Sequence, residues 1–301
     1  MSITPVRAAV TATALAHPRE LSHDDIERVF RTVEIPACPG IVTEVMAEAQ
    51  KDAPDLRRLA VNIAGDIGMS AMTIKLANSP LFRGATPVTN VRKALERLGM
   101  RNVVCVVVAT SLRTSFSGIA PDFVEKFWNR NAAVALAAGL IARRQYGVSP
   151  DSAYTYALFH DAGIPLMLRR FPEYGRVLDG CRDTGKLVTK AEEHYFPCTH
   201  PVVGSLLVRN WGLPPSLSKA IRFHHDLDAY DLPDATLPGA SLSLIATTHI
   251  AEYMLTALMG ERDIEVGQTL FERAIAHLGF GQEDLEQLRE DMDVAMRELK
   301  R

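Results

Sequence analysis

The sequence is poor in cysteine and in net charge. Its four cysteines, Cys38, Cys105, Cys181 and Cys198, are widely spaced among 301 residues, and none forms a CxxC pair. Because small secreted scaffolds need a much higher cysteine density, this pattern favours reduced thiols in a cytoplasmic protein. The formal net charge is only -3. Such a balance gives no general electrostatic reason to bind DNA or RNA, so no nucleic-acid partner is predicted.

Long apolar runs and the common nucleotide-binding motifs are also missing. The strongest apolar run, NVVCVVVATSL (residues 102–112), is shorter than the roughly 18 residues of a membrane span, so no membrane association is predicted. The sequence has no GxxxxGK[ST] loop, no GxSxG elbow and no GxGxxG after a strand. These absences argue against P-loop, α/β-hydrolase and dinucleotide-binding enzymes.

Helical signals dominate what remains, and alternating β patterns are scarce. The predicted fold class is therefore all-α, a multi-helix bundle. Pro121 suits the first turn of a helix that is expected to run to Tyr146, before Gly147 ends it. Ser149 and Pro150 then open the helix that is expected to carry His160 and Asp161.

The segment YALFHDAGIPLML (residues 156–168) places a His-Asp pair in an otherwise apolar run. Alone, this pair is more often a hydrogen-bonded core pair than a metal site. Further candidates follow on later helices: His200 at a helix start, His224 and His225 at a helix end, and His249 with Glu252 on the next helix. Separate helices of a bundle can direct such imidazoles and carboxylates at one divalent metal ion.

In their order along the chain, these residues resemble the HD phosphohydrolase superfamily and its HD-GYP branch. The upstream blocks, above all LANSPLF and ALERLGMRNV, look like the HDOD domain, a bacterial module that is related to HD proteins and associated with signalling output. The resemblance covers roughly Ile35 to Leu255. It implies a site for divalent Fe, Mn or Zn with these ligands: His160, Asp161, His200, His224, His225 and Glu252.

Two departures from the family pattern decide what the resemblance implies for function. Arg130, in WNRNAAVA, stands where HD enzymes have their first histidine ligand, and a guanidinium cannot ligate a metal. Arg130 is expected instead to pair with Asp161 or to bind an anionic ligand. Glu252 matches the final aspartate ligand of the enzymes, and His249, one turn earlier, either substitutes for it or packs.

The resemblance therefore implies a non-enzymatic signal-transduction module that binds proteins or a small ligand at a degenerate HD site. The expected partners are signalling proteins of a two-component or cyclic dinucleotide pathway. The alternative is a metal-dependent phosphohydrolase or phosphodiesterase acting on a nucleotide or a cyclic dinucleotide. The expected organisation is a disordered N-terminal segment (1–20), an N-terminal helical lobe (21–118), an HD-like helical lobe (119–260) and a C-terminal helical extension (261–301). Residues 1–16 weakly resemble a signal peptide, which leaves a targeting segment open.

Overall fold

A computed structural model describes residues 21–116, 118–260 and 264–299. Within these residues every regular element is helical and no strand occurs, which confirms the all-α fold class. The expected disordered segment, residues 1–20, lies outside the described residues.

Fifteen α-helices follow one another along the described residues, with the longest connections between α4 and α5 and between α12 and α13. The first five are α1 (His23–Thr32), α2 (Gly40–Ala49), α3 (Leu56–Ala64), α4 (Ile67–Ala77) and α5 (Val91–Ser115). The next five are α6 (Pro121–Ala142), α7 (Pro150–Phe159), α8 (Gly163–Arg170), α9 (Tyr174–Thr184) and α10 (Val188–Tyr195). The last five are α11 (His200–Asn210), α12 (Pro215–Phe223), α13 (Gly239–Met259), α14 (Gly267–Leu278) and α15 (Gln282–Leu299).

Local sequence signals explain several of these boundaries. The Ser22 side chain accepts a hydrogen bond from the backbone N–H of Asp25, whose carboxylate accepts one from the backbone N–H of Ser22, so a capping box starts α1. Asp66 caps α4 by accepting a hydrogen bond from the backbone N–H of Met69 at 2.8 Å. Gly99 breaks α5 with φ of 72° and ψ of 166°, a conformation that glycine adopts without strain.

The predicted end of α6 at Tyr146 is wrong, since the helix ends at Ala142. The backbone N–H groups of Arg144 and Gln145 bond to carbonyls three residues earlier, so the chain tightens into turns there. The Tyr146 side chain is fully exposed, so no burial of this residue favours extending the helix. Gly147 then takes a left-handed φ of 85°, as predicted for the stop.

The prediction that a helix carries the His-Asp pair is also corrected. α7 ends at Phe159, His160 is its C-cap, and Asp161 lies in the turn before α8. α8 begins at Gly163, where α11 approaches so closely that a Cβ atom would lie only 2.1 Å from the carbonyl oxygen of His200. The backbones of α8 and α11 therefore touch where the candidate site residues emerge.

Helix α13 lies at the centre of the bundle, packed against α6, α7, α12 and α14. It is long and apolar enough to cross a membrane by length and composition, with a mean hydropathy of 1.2 in its most apolar window. However, 67% of that window is buried inside the protein, as in a core helix. The packing of α13 carries His249 and Glu252 into the interior.

The two predicted lobes are joined by continuous packing. α5 contacts α2, α3 and α4 on one side and α7 on the other. α15 returns along α6 and buries Leu288, Met292 and Ala295. The division of the chain at residues 118 and 119 therefore stays a prediction.

Candidate metal centre

The fold brings all seven predicted site residues to one place: His160, Asp161, His200, His224, His225, Glu252 and Arg130. They arrive from separate elements, namely the α7–α8 turn, the start of α11, the end of α12, and the middles of α13 and α6. The histidines and carboxylates are each at most 9% exposed, whereas the Arg130 side chain is 32% exposed. Arg130 therefore lies at the solvent side of a buried cluster.

The Asp161 carboxylate is the centre of this cluster, and its two oxygens face different neighbours. Oδ1 lies 3.4 Å from His200 Nε2 and 3.4 Å from His224 Nε2. Oδ2 lies 3.2 Å from His160 Nε2 and 3.7 Å from Arg130 Nη1. Asp161 therefore divides the site into two sides.

Glu252 belongs to the second of these sides. Its Oε1 lies 3.4 Å from His160 Nε2 and accepts a hydrogen bond from Arg130 Nη1 at 2.9 Å. The sequence predicted a pairing of Arg130 with Asp161, and the structure shows an additional, closer contact with Glu252.

Three imidazoles are fixed by hydrogen bonds from their Nδ1 atoms. His160 Nδ1–H donates to the Ala157 carbonyl and His224 Nδ1–H to the Ile221 carbonyl, both at 2.7 Å. His200 Nδ1–H donates to the Glu192 carboxylate at 2.9 Å. Among the described residues, the three Nε2 atoms have no hydrogen-bond partner. Once neutral, each imidazole directs its Nε2 lone pair toward Asp161, the arrangement that metal-binding histidines adopt.

The donor atoms form two groups compact enough to hold a metal ion. One group is Asp161, His200, His224 and His225, and the other is His160, Asp161 and Glu252; within each, one ligand atom per residue lies within 4.8 Å of the others. Imidazole nitrogen and carboxylate oxygen suit zinc, iron and manganese. The residues present therefore fit a divalent transition metal.

Charges within the cluster determine which groups are ionised. Burial lowers the pKa of His160, but the Asp161 and Glu252 carboxylates outweigh this effect and raise that pKa to about 10. Burial raises the pKa of Glu252, but His160 and Arg130 outweigh it and bring that pKa to about 2. The pKa of Asp161 is likewise held well below its usual value, mainly by His160 against the effect of burial. Two carboxylates and two cations thus neutralise one another on the Oδ2 side of Asp161.

The other imidazoles differ in pKa. Burial lowers the pKa of His225 well below its usual value, and the neighbouring His224 lowers it further. Burial also lowers the pKa of His224. For His200, by contrast, the Glu192 carboxylate and Asp161 outweigh burial and raise the pKa well above its usual value.

Glu192 and Glu265 are site residues that sequence reasoning missed. Glu192 is fully buried and accepts hydrogen bonds from the backbone N–H and the imidazole of His200 and from the Tyr174 hydroxyl. Glu265 Oε2 lies 3.2 Å from His225 Nε2. Glu192 occurs in the charged segment KAEEHY, which has the composition of an exposed helix face, so no sequence signal marked it.

His249 is not a member of either donor group. Its Nδ1 accepts a hydrogen bond from the Tyr230 hydroxyl at 2.9 Å, and its Nε2–H donates to the His224 carbonyl. Burial lowers its pKa to about 4. Of the two roles left open, packing is therefore the one observed: His249 holds the backbone of His224.

The chain matches a known protein family. The model of the HDOD domain matches residues 35–227, more than half of the chain. An "Uncharacterized protein" of Treponema pallidum (strain Nichols) is 24% identical over 241 residues, which make up 78% of this chain but 45% of that protein. The chain thus spans less than half the length of this curated relative.

Solved structures of the same fold come from several bacteria. An HDOD domain protein of unknown function from Geobacter sulfurreducens has a TM-score of 0.68 and 23% identity, covering 91% of this chain and 94% of that one. A "Putative phosphohydrolase" from Shewanella amazonensis has a TM-score of 0.66 and 20% identity, covering 89% and 93%. A "Putative signal transduction protein" from Marinobacter aquaeolei has a TM-score of 0.62 and 20% identity, covering 95% of this chain and 61% of that one. At these identities the likeness establishes the fold. Together with the family match, it shows that the chain belongs to the HDOD domain family.

Proposed function

We propose that this HDOD protein is a non-catalytic signal-transduction module that binds a protein or a small ligand at a degenerate HD site. The observation that carries the proposal is the position of Arg130. Its guanidinium bonds to Glu252 Oε1 at 2.9 Å, lies 3.7 Å from Asp161 Oδ2, and is the most exposed part of the cluster.

Metal-dependent hydrolysis needs open coordination positions for a water and for the phosphate. The donors of this site are buried, and the approach from solvent passes a fixed positive charge that is itself not a ligand. An anionic group that enters from solvent therefore meets Arg130 before it meets any imidazole. This arrangement favours recognition of a ligand over its cleavage.

A metal at this site would be held by Asp161, His200, His224 and His225, the group with three imidazoles and one carboxylate. When bound, it would supply Lewis acidity and a link between the α7–α8 turn, α11 and α12. The part of this chain is to orient the imidazoles, with Glu192 behind His200 and the Ile221 carbonyl behind His224.

The partners proposed from family association are signalling proteins of a two-component or cyclic dinucleotide pathway, in the cytoplasm. The description of the Marinobacter aquaeolei structure as a signal transduction protein supports this setting.

The second candidate function is a metal-dependent phosphohydrolase in which Glu252 completes the ligand set. It is favoured by the convergence of His160, Asp161 and Glu252 and by the described function of the Shewanella amazonensis structure.

A turnover assay separates the two functions. The full chain, loaded in turn with manganese, iron and zinc, is incubated with a cyclic dinucleotide and with nucleoside triphosphates, beside Asp161→Ala. The expected result is the same background rate for both proteins. Asp179→Ala is the matched control, because this carboxylate lies on α9 with a side chain 73% exposed. Turnover that survives in Asp179→Ala and disappears in Asp161→Ala would refute the non-catalytic proposal and establish the hydrolase.

A binding assay tests the positive half of the proposal. Calorimetric titration of the full chain with a cyclic dinucleotide is compared with the same titration of Arg130→Gln, which removes the charge and keeps a polar side chain. We expect Arg130→Gln to weaken anion binding at least about tenfold, as for loss of one charge-assisted pair. Equal affinity in the two proteins would mean that Arg130 is not the recognition group.

A further inference from the structure

The two donor groups of the site share only Asp161, and they share it through different oxygens. His200 and His224 lie at Oδ1, and His160 lies at Oδ2. A carboxylate placed between two such groups has the geometry to bridge two cations, one on each oxygen.

The Oδ2 position already holds a cation that belongs to the chain. Arg130 Nη1 contacts both carboxylates of that group, at 2.9 Å from Glu252 Oε1 and 3.7 Å from Asp161 Oδ2. A metal ion bound to the same two oxygens would have to lie within a few ångströms of this permanent charge, and the guanidinium has no lone pair to offer it.

Among the described residues, no arginine or lysine lies within ion-pair distance of Oδ1, and the groups that contact it are imidazoles that can lose their proton. Its remaining donors are His200, His224 and His225, and the first two are oriented by Glu192 and by the Ile221 carbonyl. His225 offers one ring nitrogen to this group, and its Nε2 lies 3.2 Å from Glu265 Oε2. Three nitrogens and one oxygen satisfy a four-coordinate metal ion.

We propose that the site binds one divalent cation, held at Asp161 Oδ1 by Asp161, His200, His224 and His225. The guanidinium of Arg130 takes the place of a second cation at Asp161 Oδ2. This inference rests on the metal centre described under the proposed function, and it is independent of whether the site is catalytic. It assigns Arg130 a role in setting metal stoichiometry.

Manganese binding to the full chain tests the inference. The protein is stripped with chelator and dialysed against Mn²⁺, bound metal is counted by elemental analysis, and the electron paramagnetic resonance spectrum is recorded. The variants are Arg130→His, which replaces the charge by a ligand, and Arg130→Gln, which only removes the charge. Asn129→His is the matched control, because it adds an imidazole at the exposed neighbouring position on α6.

We expect one equivalent and an isolated Mn²⁺ spectrum for the wild type and Asn129→His. Arg130→Gln is expected to bind more than one equivalent, because the permanent charge that opposes the second ion is gone. Arg130→His is expected to bind two equivalents and to show the spectrum of an exchange-coupled pair. His224→Ala is expected to lose the single wild-type equivalent, whereas Glu252→Gln is expected to keep it.

Four results would overturn the inference. The first two are two equivalents of bound Mn²⁺, or none, in the wild type. The others are loss of the single equivalent in Glu252→Gln with its retention in His224→Ala, and one equivalent in a folded Arg130→His. The wild-type count decides the stoichiometry even if Arg130→His fails to fold. Two bound ions without turnover would refute only this inference, and turnover with one bound ion would refute only the non-catalytic proposal.

Discussion

Replacing Gly163 by alanine tests whether the contact between α8 and α11 fixes the geometry of the site. A Cβ atom at Gly163 would lie 2.1 Å from the His200 carbonyl oxygen and 2.9 Å from the Gly204 nitrogen. Real Cβ atoms essentially never approach closer than 3.0 Å, so the carbonyl must retreat by about 0.9 Å, the difference between 3.0 and 2.1 Å. All three obstructing atoms, which include the His200 carbonyl carbon at 2.9 Å, are backbone, so no side-chain rotation can relieve the clash.

The cost follows from the rigidity of packed interiors. Overpacking by one methyl group costs about 1–3 kcal/mol, and a clash with backbone alone belongs at the upper end, at about 3 kcal/mol. The shift also moves His200, whose imidazole lies 3.4 Å from Asp161 Oδ1. Metal affinity should therefore fall by about tenfold or more, as for other changes that misplace a ligand.

Urea unfolding, followed by circular dichroism, measures the loss of stability. Gly180→Ala is the matched control, since Gly180 lies in α9 and nothing lies within 4 Å of its added Cβ. There the methyl group should stabilise the helix by about 0.5–1 kcal/mol. Gly204→Ala should fall between the two, because its nearest contacts, Gly163 N and Ile221 Cγ2, are at 3.2 Å. A Gly163→Ala protein within about 1 kcal/mol of the wild type, with unchanged metal content, would refute the reasoning.

Three further outcomes are expected. Glu192→Gln removes the carboxylate behind His200 and should weaken metal binding about 10–100-fold, measured by competition with a chelating dye. Burial depresses the pKa of His249 to about 4, whereas a histidine in the unfolded chain has a pKa of about 6.5. Between these two pH values the unfolded chain binds more protons than the folded chain, so the free energy of unfolding should increase with pH. Urea titrations of His249→Gln should show that rise reduced by up to about 3 kcal/mol. In α15, Met292→Ala should lower the free energy of unfolding by about 2–5 kcal/mol, because the Met292 side chain is fully buried. Asp291→Asn breaks an exposed ion pair with Arg144 and should lower it by less than about 1 kcal/mol in the same assay.

The helices and the donor residues could be predicted because their signals are local. Apolar periodicity, capping residues and glycine breaks gave the all-α class, and the order of the histidines along the chain predicted a convergence that the fold displays. The position of Arg130 in a family motif likewise placed it beside Asp161.

What could not be predicted depends on contacts between distant segments. Glu192 has the sequence context of a solvent-exposed residue, and only the docking of α10 against the start of α11 buries it behind His200. Glu265 lies beyond the family match and reaches His225 through the connection between α13 and α14. α7 ends at Phe159, and α11 approaches closely at Gly163 just beyond it, a contact between distant segments that no pattern near that glycine encodes.

The pKa values imply that the two sides of Asp161 respond differently to a metal. At Oδ1, burial already lowers the pKa of His224 and His225, so a cation that binds there has to displace a proton mainly from His200, whose pKa is raised. Metal affinity at this side should therefore increase with pH. At Oδ2, Arg130 stays charged at every accessible pH, because Glu252, Glu265 and Asp161 outweigh the effect of burial and raise its pKa. On one side of the carboxylate, therefore, a cation has to displace a proton, while on the other the Arg130 guanidinium joins α6 to α13 through a charge that does not depend on pH.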